Sequence, residues 1–271
     1  MKEYRFTIIY ILIVLLFSQN VLAEADARNI MEKVDDRDDG FSTIATTTMV
    51  LIDNKGKKRT RTMKVFSEDV NDSVSNSATF FLTPNDVKNT AFLTYNYNGE
   101  DKEDDQWMYL PALKKTKRIP ASDKDAAFMG SDFSYSDMTS TELDDYDYRI
   151  IKSSNIKRKS GNVPVWVIES LPKAQKTIDE TGYIKSTLYV RKDNYVVVRA
   201  KLYLKNSKRA KYLDVRKLEK INGIWVPTKT TMTTKQGKKT IHKTLISQSN
   251  IEINVDTPEG IFSIRAIERG L

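Results

Sequence analysis

One histidine, no cysteine and 36 acidic residues bound the chemistry open to this 271-residue chain. His242 stands alone, so a histidine-built metal site is excluded by count. No Ser-His-Asp arrangement frames it, and within residues 240–245 it reads as a strand surface residue. The lack of cysteine removes thiolate catalysis, disulfides and cysteine metal sites together. Carboxylates are numerous enough that a glycosidase-type pair is not refuted. They fall, however, in polar turns: residues 99–105, residues 142–147, and Asp35, Asp36, Asp38 and Asp39 ahead of Gly40. That last run fails as a calcium loop, because Arg37 sits where the third ligand belongs and no glutamate closes the loop. No glycine-rich phosphate loop occurs. Neither catalysis nor a cofactor is expected, and function is sought in binding.

The residues that suit binding lie in one stretch, Asp105 to Asp137. Trp107, Tyr109 and Leu110 favour a strand, which Pro111 ends or confines to an edge. A basic run follows, Lys114, Lys115, Lys117 and Arg118. It suits an anionic head group or membrane surface, where each charge is worth about 1 kcal/mol, or simply a solvated hairpin. Beyond it Phe128, Met129, Phe133, Tyr135 and Met138 stand among Gly, Ser and Asp. That segment is too broken for a long helix and too apolar for an ordinary surface loop. Rings bury large area at few torsions and Met repacks easily, so it suits a flap over an apolar cavity. Ser136 is placed to cap a short helix with Asp137 in its first turn.

The elements that must position this stretch are mostly strands. Met1 to Ala23 reads as a secretory signal, with Lys2 and Arg5, an apolar core from Phe6 to Phe17, and Val21-Leu22-Ala23 before the cleavage point. An uncleaved anchor is the alternative, but the core is short of the roughly 20 residues that a span needs. No cysteine follows the cleavage point, so the chain itself is no bacterial lipoprotein. The expected mature protein is a single domain over residues 24–271. The full chain's net charge of +8 would suit nucleic acid, anionic lipid or neither, and export argues against nucleic acid. Ala27, Ile30, Met31 and Val34 form the stripe of one short amphipathic helix. From Ser42 onward the chain is a meander of strands, with hairpin signals at Asn54-Lys55-Gly56, Asn222-Gly223 and Gln236-Gly237 and no long βαβ pattern. Residues 152–161 read as a basic loop.

Val196, Val198, Ala200, Leu202 and Leu204 share one strand face while Arg199 and Lys201 share the other, as in a sheet with one wet side. Between Thr43 and Ile52, by contrast, both faces are apolar: Ile44, Val50 and Ile52 on one, Ala45, Met49 and Leu51 on the other. Part of the sheet therefore wants cover on both sides. A strongly curved sheet holding a helix or a ligand on its concave side answers that need, and so does an ordinary fully packed barrel or sandwich.

The order Asp-x-Trp-x-Tyr-Leu-Pro-Ala-Leu-Lys-Lys-x-Lys-Arg-Ile from Asp105, followed by Phe-Met-Gly-Ser-Asp-Phe-Ser-Tyr-Ser-Asp from Phe128, resembles the signature of the outer-membrane lipoprotein-sorting protein family. That family is similar in fold to the periplasmic lipoprotein carriers LolA and LolB. The resemblance implies a mainly β protein: a strongly curved antiparallel sheet forming a half-open barrel around a hydrophobic cavity, with an N-terminal helix and a short helical or loop lid. It implies Trp107, Tyr109, Leu110, Phe128, Met129, Phe133 and Tyr135 as cavity wall and lid, and the acyl chains of a lipid or lipoprotein as ligand. It further implies transport through the periplasm toward the outer membrane, transient membrane contact and a monomer. Plain core packing is the other reading of Trp107 and Tyr109. Residues 261–264 resemble the family's closing strand. The chain is longer than the basic carrier, and the carrier's arginine has no clear counterpart here, which leaves the cargo open. A non-catalytic periplasmic accessory or sensor working with an RND-type inner-membrane lipid exporter is the alternative.

Overall fold

The computed structural model describes residues 26–99, 102–159 and 161–271; the expected secretory signal lies outside them. Helix α1 (residues 26–35) follows the predicted stripe, and Ala27, Ile30 and Met31 are buried against Tyr148, Ile168 and Val190. Six strands follow, β1 (Ser42–Asp53), β2 (Lys58–Asn71), β3 (Val74–Thr83), β4 (Ala91–Tyr97), β5 (Asp105–Leu110) and β6 (Lys115–Arg118). Seven more come after an irregular segment: β7 (Tyr146–Arg158), β8 (Gly161–Pro172), β9 (Tyr183–Arg191), β10 (Val197–Leu204), β11 (Arg209–Ile221), β12 (Ile224–Gln236) and β13 (Lys239–Ile253). Helix α2 (Gln175–Thr181) joins β8 to β9, and α3 (Ile264–Arg269) closes the chain.

All thirteen strands belong to one antiparallel sheet in the order β6-β5-β4-β3-β2-β1-β13-β12-β11-β10-β9-β8-β7. The chain starts at the middle of the sheet, meanders out to the β6 edge, then reappears at the opposite edge as β7 and meanders back until β13 pairs with β1. Residues 119–145 must therefore cross the whole width of the sheet. They form the lid, a strap of short 3-10 turns laid over one face. Asn222 and Gly223 both take positive φ, 49° and 90°, as a two-residue hairpin turn of the twisted type requires.

The two apolar faces of β1 are each covered. Met49 and Leu51 pack under the lid with Met63, Phe81, Phe92, Met108 and Phe128. Ile44, on the other face, packs with Phe66, Phe80, Leu93 and the C-terminal Ile261 and Ile267. The residues expected to close the sheet as a strand instead lead into α3: the Ser263 hydroxyl accepts from the Ala266 amide at 3.1 Å and caps the helix, which lays Ile267 on the sheet. The basic stretch after Lys152 is also strand rather than loop, since β7 runs to Arg158 with Ile156 buried and the lysines turned to water.

Coiling of the sheet shows in one contact. Arg158, at the end of the edge strand β7, donates to Asp214 on β11 at 2.8 Å although three strands lie between them in sheet order. Arg199 donates to the same oxygen at 3.0 Å, and Arg216 reaches the other at 2.9 Å. Burial pushes the Asp214 carboxyl up, but the bonds from Arg158 and Arg199 outweigh it and hold it below its ordinary value. The folded-state value is lower than the unfolded one, so this node stabilises fully above the unfolded carboxyl range and its contribution is lost as pH falls through the folded value. Asp214→Asn should cost about 2 kcal/mol at pH 7, less than for a fully buried node because Arg199 and Arg216 are open to water. Urea unfolding at pH 7 and pH 3 checks this: the gap between variant and wild type must shrink at the lower pH.

Candidate functional site

The lid is fastened at three places. Phe128 enters the β1–β5 cluster, its ring 5.1 Å from Phe92, 6.2 Å from Phe81 and 5.7 Å from Tyr135. Gln106, fully buried on β5, donates to the Tyr135 carbonyl at 2.8 Å. Between these the loop turns tightly at Met129 and Gly130, both with positive φ, and Arg61 donates to the Met129 carbonyl. The third fastening is polar. Asp132, with only 1% of its side chain exposed, accepts from Thr234 Oγ1 at 2.5 Å, Thr234 N at 3.2 Å and Thr244 Oγ1 at 2.7 Å, and pairs with His242 Nδ1 at 2.7 Å. His242 is thus a partner of the lid rather than a free strand surface residue. Phe133 beside it packs on Tyr183, Leu202 and Met232.

The residues singled out in the sequence separate into groups. Phe128, Met129, Tyr135 and Leu110 share the cluster beneath the lid. Phe133 lies further along the lid. Trp107 and Tyr109 alternate with Met108 on β5, so they face the opposite side of the sheet, in the cluster under α3. Lys114, Lys115 and Lys117 are exposed around the β5–β6 hairpin, where Leu113 is 54% exposed, and Arg118 pairs with Asp105 at 2.5 Å. Ser136 begins a single 3-10 turn and caps no helix by its side chain.

Open space lies elsewhere under the lid. A partly open cavity of about 490 Å3 is bounded by α1, lid residues 136–145, α2 and strands β7 to β10. Its apolar part is made by Met31, Val34, Leu143, Leu188, Val197 and Leu202. Its size falls in the range of small-molecule sites. The acids that read as scattered wet turns converge on it: Asp35 at the end of α1, Asp39 just beyond it, and Glu142 and Asp145 from the lid. Asp35 and Asp39 are exposed and Glu142 is half-buried, and partial desolvation by the surrounding atoms raises all three carboxyls. Burial also pushes the Tyr146 hydroxyl up to about 12 and raises Tyr148 and Tyr183. At the inner end Tyr183 donates to Asp137 at 2.9 Å and accepts from Lys211 at 2.9 Å.

Sequence reasoning missed this wall because the contributing turns are more than a hundred residues apart and each, taken singly, looks solvated. It missed the Asp132 fastening as well. The available signal there was a lone carboxylate inside an aromatic stretch, which demands a partner once the stretch is buried.

A coiled antiparallel sheet, open at two edges and crossed by a lid on one face, defines the class of LolA-like half-barrels. Residues 73–269 match the model of a family described as "Uncharacterized protein", and the chain belongs to that family. No curated protein sequence matches it. The structure is similar to that of a DUF1329 family protein from Desulfovibrio piger, at 29% identity and a TM-score of 0.80, with 90% of this chain and 99% of that one covered. It is equally similar to a domain from Vibrio parahaemolyticus provisionally named as an outer membrane lipoprotein-sorting protein domain, at 28% identity and 0.80, covering 91% and 100%. A LolA superfamily protein from Nitrosomonas europaea aligns at 18% identity and 0.65 over 88% and 98%, which supports the fold alone. The resemblance carried by the Asp105–Asp137 motifs is borne out, as is the half-open antiparallel fold.

Proposed function

We propose that this protein is a non-catalytic periplasmic carrier that shields an acyl chain of a lipid or lipoprotein in the cavity beneath its lid, for transport toward the outer membrane. The observation that carries the reading is a cavity of about 490 Å3 with an apolar side, strapped by the lid of a LolA-like half-barrel. Each methylene removed from water is worth about 0.8 kcal/mol, so ten carbons offer roughly 8 kcal/mol before ordering costs, enough for exchangeable cargo. In this reading Phe128, Met129, Phe133 and Tyr135 hold the lid to the sheet, and Trp107, Tyr109 and Leu110 stiffen the strand that it rests on. Native mass spectrometry of protein purified from the periplasm without detergent tests it, with lipid extraction to follow. A stoichiometric acyl ligand is expected. An empty protein that also takes up no fluorescent acyl probe overturns the carrier reading.

The exposed Lys114, Lys115 and Lys117 would meet an anionic membrane when cargo is exchanged. Changing all three to Gln should weaken binding to anionic vesicles by about 1 kcal/mol per lysine and flatten its salt dependence. Binding that is unchanged at low salt would remove this role.

A further inference from the structure

The turns at one end of the sheet are basic. Strand register brings five of them to that end, residues 54–57, 84–90, 111–114, 205–208 and 237–238: Asp53 lies opposite His242, Thr62 opposite Thr83, Ala91 opposite Tyr109 and Arg209 opposite Gln236. Each carries an exposed lysine, Lys55, Lys88, Lys114, Lys208 and Lys238, and Asp86 is the one acid among their residues. Behind the last two turns an open groove of about 260 Å3 lies on the outer face of the sheet. Its strand residues Lys201, Tyr203 and Tyr212 alternate with Leu202 and Lys211, which point to the lid side.

Tyr203 and Tyr212 stand in this groove among Lys201, Lys208, Arg209 and Lys235, and no carboxylate lines it. The Lys201 ammonium lies 4.3 Å from the centre of the Tyr203 ring and 5.7 Å from that of Tyr212, and Lys235 lies 5.2 Å from Tyr212. Cations just outside are neutralised, Lys185 by Glu169 at 2.8 Å and Lys205 by Asp125 at 2.9 Å. The four inside pair with no carboxylate among the described residues. Ring faces hold a cation less firmly than a carboxylate does, so the groove keeps a positive potential that an anion relieves. Apolar side chains are exposed beside these lysines: Ile184 at the groove is 47% exposed, and Leu113 on the β5–β6 turn 54%.

Building on the proposed membrane contact, we infer that this end of the sheet is the face set against the membrane, and that the groove seats the phosphate of an anionic phospholipid head group. The Arg209 fork, the two ammonium groups of Lys201 and Lys235 and the tyrosine hydroxyls supply donors for the phosphate oxygens. Ile184 and Leu113 enter the head-group boundary, where apolar side chains among lysines are favoured. Lysines spread over five turns, with apolar side chains between them, suit an extended anionic surface better than a free anion, which only the groove could meet.

The test is flotation of the full mature protein with phosphatidylcholine vesicles that contain or lack phosphatidylglycerol. Lys201→Gln combined with Lys235→Gln should weaken binding to the phosphatidylglycerol vesicles at least about tenfold. Lys157→Gln combined with Lys159→Gln removes the same charge at the opposite end and should change binding less than about twofold. The emission of Ile184→Trp should shift to the blue on these vesicles, and that of Val70→Trp, at the opposite end, should not. Acyl-probe uptake without vesicles should match wild type in all four variants. Equal losses in the two double variants, or no blue shift for Ile184→Trp, overturn this docking face, while acyl uptake by the wild type leaves the carrier reading intact. Inorganic phosphate alone, bound as tightly as the vesicle lipid and lost in Lys201→Gln combined with Lys235→Gln, overturns the lipid as its source.

Discussion

Asp132→Ala is expected to lower stability by about 3–5 kcal/mol, the range for removing one member of a buried charged network. The carboxylate is closed off from water and serves four donors on β12 and β13, namely the Thr234 amide and hydroxyl, the Thr244 hydroxyl and the His242 ring. With it gone, Thr234, Thr244 and His242 lose their acceptor together, and a void replaces it. An exposed pair of the same distance would be worth under about 1 kcal/mol, so the size of the loss reports burial rather than proximity. For a chain of this size the melting temperature should fall by roughly 10 °C. Asp132→Asn keeps the shape and one acceptor and should cost less. Amide exchange across residues 131–134 should accelerate in both variants, because this is where the lid is tied to the far half of the sheet. A melting temperature within about 2 °C of wild type for Asp132→Ala would show that the lid does not depend on this tie.

Phe128→Ala is the second large effect, about 3–5 kcal/mol from lost burial and the cavity left behind. The ring is 2% exposed and touches Phe81, Phe92 and Tyr135, so the site cannot collapse without moving three other rings. Met129, its neighbour, is half-buried at the tip of the loop with φ 50°, and Met129→Ala should cost about 1 kcal/mol or less. Urea unfolding with an unchanged slope checks both values. If Phe128→Ala instead leaves stability within about 1 kcal/mol and abolishes acyl uptake, the ring belongs to a moving wall and not to an anchor.

These two residues show how far the sequence could be read. The apolar flap was legible because aromatic and Met side chains at Phe128, Met129, Phe133 and Tyr135 have no reason to sit in an ordinary loop. The need for cover on both faces of β1 was legible from Ile44 against Met49 and Leu51, and α3 and the lid supply that cover. The three hairpins at Asn54-Lys55-Gly56, Asn222-Gly223 and Gln236-Gly237 followed from glycine-bearing turn chemistry. What period-two patterns do not carry is strand order: nothing local says that β6 and β7 stand at opposite edges, and so nothing local says that the lid must span the sheet. The acidic wall of the cavity and the Asp132–His242 pair depend on that crossing and were hidden with it. At Ile261–Ile264 the apolar run was too short for its period to separate a strand from the start of a helix.

The pairing of β1 with β13 joins the first strand to the last, at the centre of the sheet. A chain made from its N-terminus must hold β1 with one ladder unfilled until nearly every other residue has emerged. The halves β1–β6 and β7–β13 can each form by local hairpins, but the molecule closes only when its final strand arrives, a late and long-range step of the kind that slows β proteins. Until then the apolar central strand is an open edge to which other chains can add, so the interval before β13 arrives is when this protein most needs protection from aggregation.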